Sequence, residues 1–334
     1  MGKPALYAVT LFGISVAIVL VSAIIFFLMP NTEYSRGAQV WQDAASWLAV
    51  FAVAIIFLDF AFLSHWGRAK RTVRYDPIEN PKVTVCMPAY NEASVIGRAV
   101  SEFRKAGIPN LSEVVVRVAY PTTDDTAAIA KKAGARIVMG KADEHGYGYA
   151  CMHALAEAAK GPGGEEGGVK GGAAGRAKGK PDVVILCEGD GTFSAVDAKK
   201  LLAYIENADM VVGTRTVVEV LDPDSQVDWF INWGNKFIAR MLQMRYWGRV
   251  RLSDVGCTYR AIRRDALERL MPKLHDGGNT FSLHMLLVAL DNGLTLLEVP
   301  VTFRQRVGES KGVGNAKVKG FLVGLRMLWS IFMH

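Results

Sequence analysis

Glu188 and Asp190 stand either side of one glycine, with a second glycine at 191, and this short segment offers the clearest chemistry in the 334-residue chain. Acids at i and i+2 on a tight, glycine-bearing turn can both reach one hard divalent cation. Mg²⁺ takes one or two carboxylates and fills its shell with phosphate oxygens and water. The same tripeptide also makes an ordinary β-turn with solvated acids, so its meaning depends on its surroundings. Two further polar clusters share its setting: Pro88-Ala89-Tyr90-Asn91-Glu92 and Thr122-Thr123-Asp124-Asp125-Thr126. Each follows a short apolar run, as Glu188 does.

Those runs, 82–87, 114–119 and 183–187, are mostly apolar and rich in β-branched residues, with Lys82 and Arg117 as the charged exceptions, and 136–139 and 210–212 read the same way after Arg136. Helical spacing fills the intervals at 93–105, 124–133, 147–160 and 197–207. Strands without polar alternation, interleaved with helices, predict an α/β fold whose mostly parallel sheet is covered on both faces. Ligands of such sheets bind outside the carboxyl ends of the strands, which is where all three polar clusters fall. A glycine-rich stretch over 161–180 interrupts the alternation. It carries no phosphate-loop spacing and too little apolar surface to fold, so a flexible surface insertion is expected.

Residues 5–29 carry no charge and would span about 37 Å as a helix, against a hydrocarbon core of about 30 Å. A secretory signal has a shorter apolar core and a small-residue cleavage site, so a membrane-spanning helix is the expectation. A second apolar run covers 44–66, flanked by Trp47 and Trp66, and Arg68, Lys70, Arg71 and Arg74 follow it. The positive-inside rule puts that basic cluster in the cytoplasm, giving a two-helix transmembrane hairpin with the rest of the chain cytoplasmic. Two aromatic helices are expected later, over 226–247 and 317–334, the second amphipathic and suited to a membrane interface.

Composition narrows the classes. Hydrophobic residues make up 51% of the chain and charged residues 21%, which excludes wholesale disorder. The net charge of +7 is spread out, without the basic, aromatic-interleaved patch of a nucleic-acid binder. Cys86, Cys151, Cys187 and Cys257 lie too far apart for a close metal spacing and read as buried thiols of a reducing compartment.

The order strand–PAYNE–helix, strand–TTDDT–helix, strand–EGDG resembles the family-2 glycosyltransferases of GT-A fold, nucleotide-diphospho-sugar transferases with a Rossmann-like sheet. Later segments extend the resemblance: Val212-Gly213-Thr214-Arg215, Ser253 to Arg260, and Glu298-Val299-Pro300-Val301. Arg306-Val307-Gly308-Glu309-Ser310-Lys311 is similar to a loop of the branch that makes dolichyl- and polyprenyl-phosphate sugars. The likeness covers roughly 82–312 and leaves the amino-terminal hairpin outside.

The resemblance implies roles. Pro88, Tyr90 and Glu92 would sit beside the nucleotide, and Asp124, Arg215 and Ser310 would join them in the donor site. Glu188 and Asp190 would hold Mg²⁺ or Mn²⁺ against the diphosphate. Asp254 would lie near the sugar or acceptor, while Arg306 and Lys311 would grip phosphate oxygens, the fork and the point charge that suit them. Asp190, Asp254, Arg306 and Lys311 are thus the expected catalytic set. Arg304, two positions earlier, competes with Arg306 for the phosphate role, and His284 is a weaker catalytic candidate.

This sequence departs from the family in places. Ala119 and Tyr120 stand where two aspartates are usual, Glu188 where aspartate is usual, and Gly146-Tyr147-Gly148 where a lysine often sits between the glycines. The implied reaction is inverting transfer of a hexose from a GDP- or UDP-linked donor to a membrane polyprenyl phosphate. Two alternatives stand beside it: a lipid hydroxyl acceptor with Asp254 as general base, and a catalytically inert membrane scaffold of the same fold. The expected division is a hairpin with its basic segment over 1–74, the transferase domain over 75–315 and an interfacial helix over 316–334, the whole a multi-pass protein of the cell membrane.

Overall fold

The computed structural model describes residues 3–30, 32–58, 74–162, 179–225, 227–246, 249–306 and 317–334. They form two compact units, one of Met1–Thr72 with Met241–Arg249 and the other of Val73–Arg240 with Val250–His334.

The first unit contains α1 (Lys3–Leu28) and α2 (Glu33–Leu58), both long and apolar enough to cross a membrane. Small buried residues recur at every seventh position of the two helices, Ala8, Ser15 and Ser22 on α1 and Ala38, Ala45 and Ala52 on α2, with Ser35 buried beside them. Small side chains on a heptad stripe let two helix backbones approach closely, the usual source of cohesion where lipid removes the hydrophobic driving force. Large apolar residues such as Phe27 and Trp47 face outward. The second apolar run was expected over 44–66 after a loop. Instead α2 begins at Glu33, the helix running on through the polar residues that precede the apolar run; 59–66 lies outside the described residues, as do Arg68, Lys70 and Arg71. Replacing Ala52 with leucine is expected to lower the melting midpoint of the protein in micelles, while Val53→Leu, at an exposed position, leaves it unchanged. Equal melting of the two variants would dismiss the stripe.

The second unit is built on a seven-stranded sheet: β1 (Val83–Ala89), β2 (Leu111–Val118), β3 (Arg136–Met139), β4 (Val183–Leu186), β5 (Met210–Thr214), β6 (Arg260–Arg263) and β7 (Leu296–Pro300). The order is β3-β2-β1-β4-β6-β5-β7, with β6 alone antiparallel to its neighbours. In register, Val85 of β1 lies between Val114 of β2 and Ile185 of β4, so β1, β2 and β4 end at one edge. The side chains of Val83, Val85, Met87, Val114, Val116 and Ile185 join the main core cluster with Ile96, Val100 and Phe103 of α3 (Ile96–Lys105). The alternate residues, among them Cys86, Val115 and Leu186, point to the other face by the period of two. That face carries α5 (Tyr147–Lys160), and α4 (Thr126–Lys132) precedes β3.

The limits of β3 and α5 agree with the sequence expectation. The helix expected over 197–207 is shorter, a 3₁₀ turn at Ala195–Asp197 leading into α6 (Ala198–Ala203). The remaining helices are α7 (Trp229–Arg245), α8 (Arg264–Leu270), α9 (Phe281–Asp291) and α10 (Lys317–Met333). Arg74, expected in the basic juxtamembrane cluster, is drawn into the domain instead, where its guanidinium pairs with Asp76 and with the buried Asp209. Residues 163–178 of the glycine-rich insertion fall outside the described residues.

Candidate active site

β1 and β4 end beside a cavity of about 600 Å³. Pro88 lines it from the end of β1 and Tyr90 and Glu92 from the loop that follows, Ala119, Tyr120 and Pro121 from the second loop, and Glu188 and Asp190 from the third. Glu144, Tyr147, Arg215, Thr258, Ser282 and Arg306 complete most of the wall.

The turn after β4 is shaped for its acids. Gly191 has φ +75, a conformation that costs glycine little and other residues more. It brings the Thr192 backbone N–H and Oγ1 back to Asp190 Oδ1, at 3.1 and 2.7 Å. Glu188 Oε1 accepts from the Tyr147 hydroxyl at 2.8 Å and from Thr258 Oγ1 at 2.8 Å. Each acid therefore spends one oxygen on protein donors. Asp190 Oδ2 has only Arg306 Nη1 at 3.5 Å, and Glu188 Oε2 has no hydrogen-bond partner among the described residues. Burial, and then the charge of Asp190, pushes the Glu188 carboxyl above its ordinary range. Burial also raises the Tyr147 hydroxyl, with help from Cys151 and Glu188, so it stays protonated and donates.

Two like charges with one open oxygen each are the donor set a hard divalent cation fits. No group of three His, Cys, Asp or Glu converges among the described residues, so the pair is not a closed protein cage. It suits a hard divalent cation such as Mg²⁺ or Mn²⁺ that would take its remaining ligands from outside the protein.

Arg306 sits between the acids of two loops, its Nη2 at 2.7 Å from Glu92 Oε1 and its Nη1 facing Asp190. Arg304 is spent elsewhere, bidentate on Glu102 at 2.8 and 2.9 Å and bonded to Ser194. Of the two arginines, then, 306 is the one at the cavity. Ser310 and Lys311 lie outside the described residues.

Two expected residues are placed differently. Asp124 does not line the cavity: it ties loops together, accepting from Ala93 N at 3.0 Å and from Thr126 N and Oγ1 at 3.1 and 2.5 Å. A short acid at a loop junction is captured by nearby backbone donors. Asp254 is wholly buried and lies behind Arg215. Its Oδ2 accepts from Arg215 N and Nε at 3.1 and 2.9 Å, and its Oδ1 from Arg215 Nη2 and Gly256 N at 3.1 and 2.9 Å. Burial alone would raise its carboxyl, but Arg215 outweighs that and holds it below the ordinary range. Arg215 in turn is held above its ordinary value by Asp254 despite burial. Asp254 is thus committed to orienting Arg215, and Arg215 is the member of the pair at the cavity wall.

His284 is also removed from the chemistry. It packs edge-on to the His275 ring, with centroids 4.3 Å apart, and its Nε2 accepts from His275 N at 3.3 Å. Burial and then His275 lower its pKa to about 4. The unfolded chain, with an ordinary histidine, binds the proton at higher pH. Stability from neutral His284 is therefore complete above about pH 6.5 and is lost as pH falls through about 4. His284→Gln should flatten that part of a melting-versus-pH curve, and an unchanged curve would contradict it.

The sequence reading did not anticipate Tyr147 and Thr258 as partners of Glu188, because they come from 41 and 70 residues away in the chain. One signal was present. Glycines bracket Tyr147, and a Cβ on Gly148 would stand 2.0 Å from the Asp276 carbonyl oxygen, so the turn is pressed against a neighbouring loop.

Comparison with known proteins agrees with this architecture. Residues 81–311 match the model of a family described as glycosyltransferase like family 2. The low-salt glycan biosynthesis hexosyltransferase Agl6 of Haloferax volcanii is 29% identical over 69% of this chain and 49% of its own. An undecaprenyl-phosphate mannosyltransferase of Micrococcus luteus is 29% identical over 44% of this chain and 62% of its own. The chain thus spans about half the length of the first relative and under two thirds of the second. Among solved structures, glucosyl-3-phosphoglycerate synthase of Mycobacterium tuberculosis with Mn²⁺, UDP and glucosyl-3-phosphoglycerate superposes with a TM-score of 0.52. It is 17% identical and covers 80% of this chain and 86% of that one, a likeness of fold.

Proposed function

Because this chain belongs to the glycosyltransferase-like family 2, we propose that it carries a hexose from a nucleoside diphosphate sugar to a polyprenyl phosphate held in the membrane. The observation that carries the reading is one cavity lined by Glu188 and Asp190 together with Arg215 and Arg306. Acids for a cation and forks for phosphate, side by side, suit a substrate pair rich in phosphate.

Glu188 and Asp190 would hold a divalent ion, as the Mn²⁺-bound solved neighbour encourages; such an ion would supply positive charge to the departing diphosphate. Arg306 adds a positive charge on the same side, and Arg215, braced by Asp254 through Nε and Nη2, a second one. An oxygen of the lipid phosphate attacks the anomeric carbon, the bond to the donor diphosphate breaks, and the nucleoside diphosphate leaves with the electron pair and the configuration inverts. A phosphate is already ionised at neutral pH, so the attack needs no strong base. Asp254, the base a hydroxyl acceptor would require, is engaged with Arg215 on both oxygens. The Micrococcus relative, named for an undecaprenyl-phosphate acceptor, supports the phosphate reading.

The membrane assignment rests on α1 and α2. Exposed aromatic ridges add to it: Trp229, Trp233 and Phe237 on α7, and Phe321, Leu325, Trp329 and Met333 on α10, each at steps of four. Such ridges suit a bilayer interface, which would bring the site to a two-dimensional pool of acceptor. The cytoplasmic placement follows the basic residues after the second span.

The test is incubation of membranes containing the protein with labelled UDP-, GDP- and other nucleotide sugars, with and without added polyprenyl phosphate. Label is expected in a lipid that releases its sugar in mild acid. An acid-stable glycolipid would transfer the reading to a hydroxyl acceptor.

A further inference from the structure

Tyr147 Oη, Thr258 Oγ1 and Glu188 Oε1 form a triangle with sides of 2.5, 2.8 and 2.8 Å. Three chain segments meet there: the first residue of α5, the loop before β6 and the turn after β4. Resting on the reading of Glu188 and Asp190 as the metal pair, we propose that Tyr147 and Thr258 are positioning residues whose neutral hydroxyls pin Glu188 Oε1, so that Oε2 is presented to the cation.

The division of labour between the two oxygens is the first support. Oε1 takes both hydroxyls, and Oε2 has no protein partner among the described residues. A glutamate has one more rotatable bond than an aspartate, so a metal ligand of that length needs fixing from outside. Partners that orient a ligating group are a general requirement of metal sites.

The second support is that the clamp is itself anchored. Thr258 is 1% exposed. Tyr147 lies between two glycines pressed on the next loop. Gly148 N donates to the Gly277 carbonyl at 2.9 Å, and a Cβ at Gly146 would fall 2.3 Å from the same oxygen. The turn packs backbone to backbone, so the ring has no slack in which to drift.

The third is charge. A lysine or arginine at either position would also fix Glu188, but it would add a positive charge beside the acid. Hydroxyls orient the carboxylate and leave its charge intact. Moreover, two hydroxyl protons cannot occupy all three short edges of the triangle at once. With both hydroxyls donating to Oε1, the pair left without a proton between them is Tyr147 Oη and Thr258 Oγ1.

Binding of Mn²⁺ to the full-length protein in micelles, alone and with inorganic pyrophosphate, tests this by equilibrium dialysis. Tyr147→Phe and Thr258→Val should each weaken Mn²⁺ binding by about 10- to 100-fold, as loss of such a partner does elsewhere, whereas Thr258→Ser keeps the hydroxyl and the affinity. In Glu188→Asp the carboxylate no longer reaches the two hydroxyls, so adding Tyr147→Phe to it should cost nothing further. Wild-type affinity in both hydroxyl variants overturns the clamp, and so does an undiminished penalty for Tyr147→Phe beside Glu188→Asp. Should Tyr147→Phe fail to fold, the contrast between valine and serine at 258 decides alone. Asp190→Asn separates the two ideas: unchanged Mn²⁺ binding there removes the metal pair itself, while lost binding there with intact binding in the hydroxyl variants removes only the clamp.

Discussion

Asp190→Asn is expected to leave the fold standing and to reduce sugar transfer by on the order of 10³-fold or more, comparable to the loss of a principal electrostatic group in other active sites. Asparagine keeps the volume of a residue that is 4% exposed, and its remaining oxygen can still accept from Thr192 N and Oγ1. What disappears is the charge. The open oxygen becomes an amide nitrogen facing Arg306 Nη1, which stands at 3.5 Å from Oδ2, so two donors confront each other where a cation was balanced. Glu188 loses the like charge that helps to raise it, and its carboxyl moves down toward an ordinary glutamate. In the wild type that raised carboxyl sets a pH limit: protons compete with metal at higher pH than for a normal glutamate, and activity falls as pH drops through it. A radiolabelled-sugar transfer assay beside a melting curve checks the prediction. Normal turnover would remove Asp190 from the site, and a collapsed melting curve would make its role structural.

Much of this arrangement was legible because it is local. The three polar clusters sit at strand ends by their position after apolar runs, and the sheet delivers those ends to one edge. The limits of β3 and α5 follow from β-branched runs and glycine boundaries. β6 was missed for a physical reason: its four residues include Arg260 and Arg263, which read as polar. Arg260 is nonetheless buried, donating to the Cys257 and Ser282 carbonyls, and Arg263 to those of Asp76 and Ile205. Most of these donors find carbonyls, three of them on distant segments, while Arg260 Nη1 and Arg263 Nε stay buried without a hydrogen-bond partner among the described residues. The early start of α2 escaped for the opposite reason, since polar residues flanking an apolar run continue a helix as readily as they end it. Side-chain destinations were the least legible. Asp124 and Asp254 stand in family-like segments, yet the bonds that pull them from the cavity are made to Ala93 and Arg215, far away in sequence. For Glu188 the acid was readable and its two hydroxyl partners were not.

Asp254→Asn should behave as the loss of a buried ion-pair partner. The carboxylate is fully buried and takes three donors from Arg215 and one from Gly256. An amide can replace only one of its oxygens as an acceptor; the other becomes a donor against a guanidinium that remains charged and out of water. Breaking one side of such a pair costs about 3–5 kcal/mol, which for a domain of this size lowers the melting midpoint by on the order of 10 °C. The pH dependence has a definite sign. The folded carboxyl is held below its ordinary range, so its contribution is complete above the unfolded aspartate pKa of about 3.9 and is lost as pH falls through the lower folded value. The variant should lack that acid-side loss. Arg215, no longer braced, should also bind the phosphate-rich substrates more weakly, raising KM together with the drop in melting. A general base would give another pattern: kcat falls, the acid limb of the rate profile disappears, and the melting midpoint stays where it was. Melting curves from pH 3 to 8, taken beside kcat and KM on the same preparation, separate the two, and the second pattern would return Asp254 to the chemistry and reopen the hydroxyl acceptor.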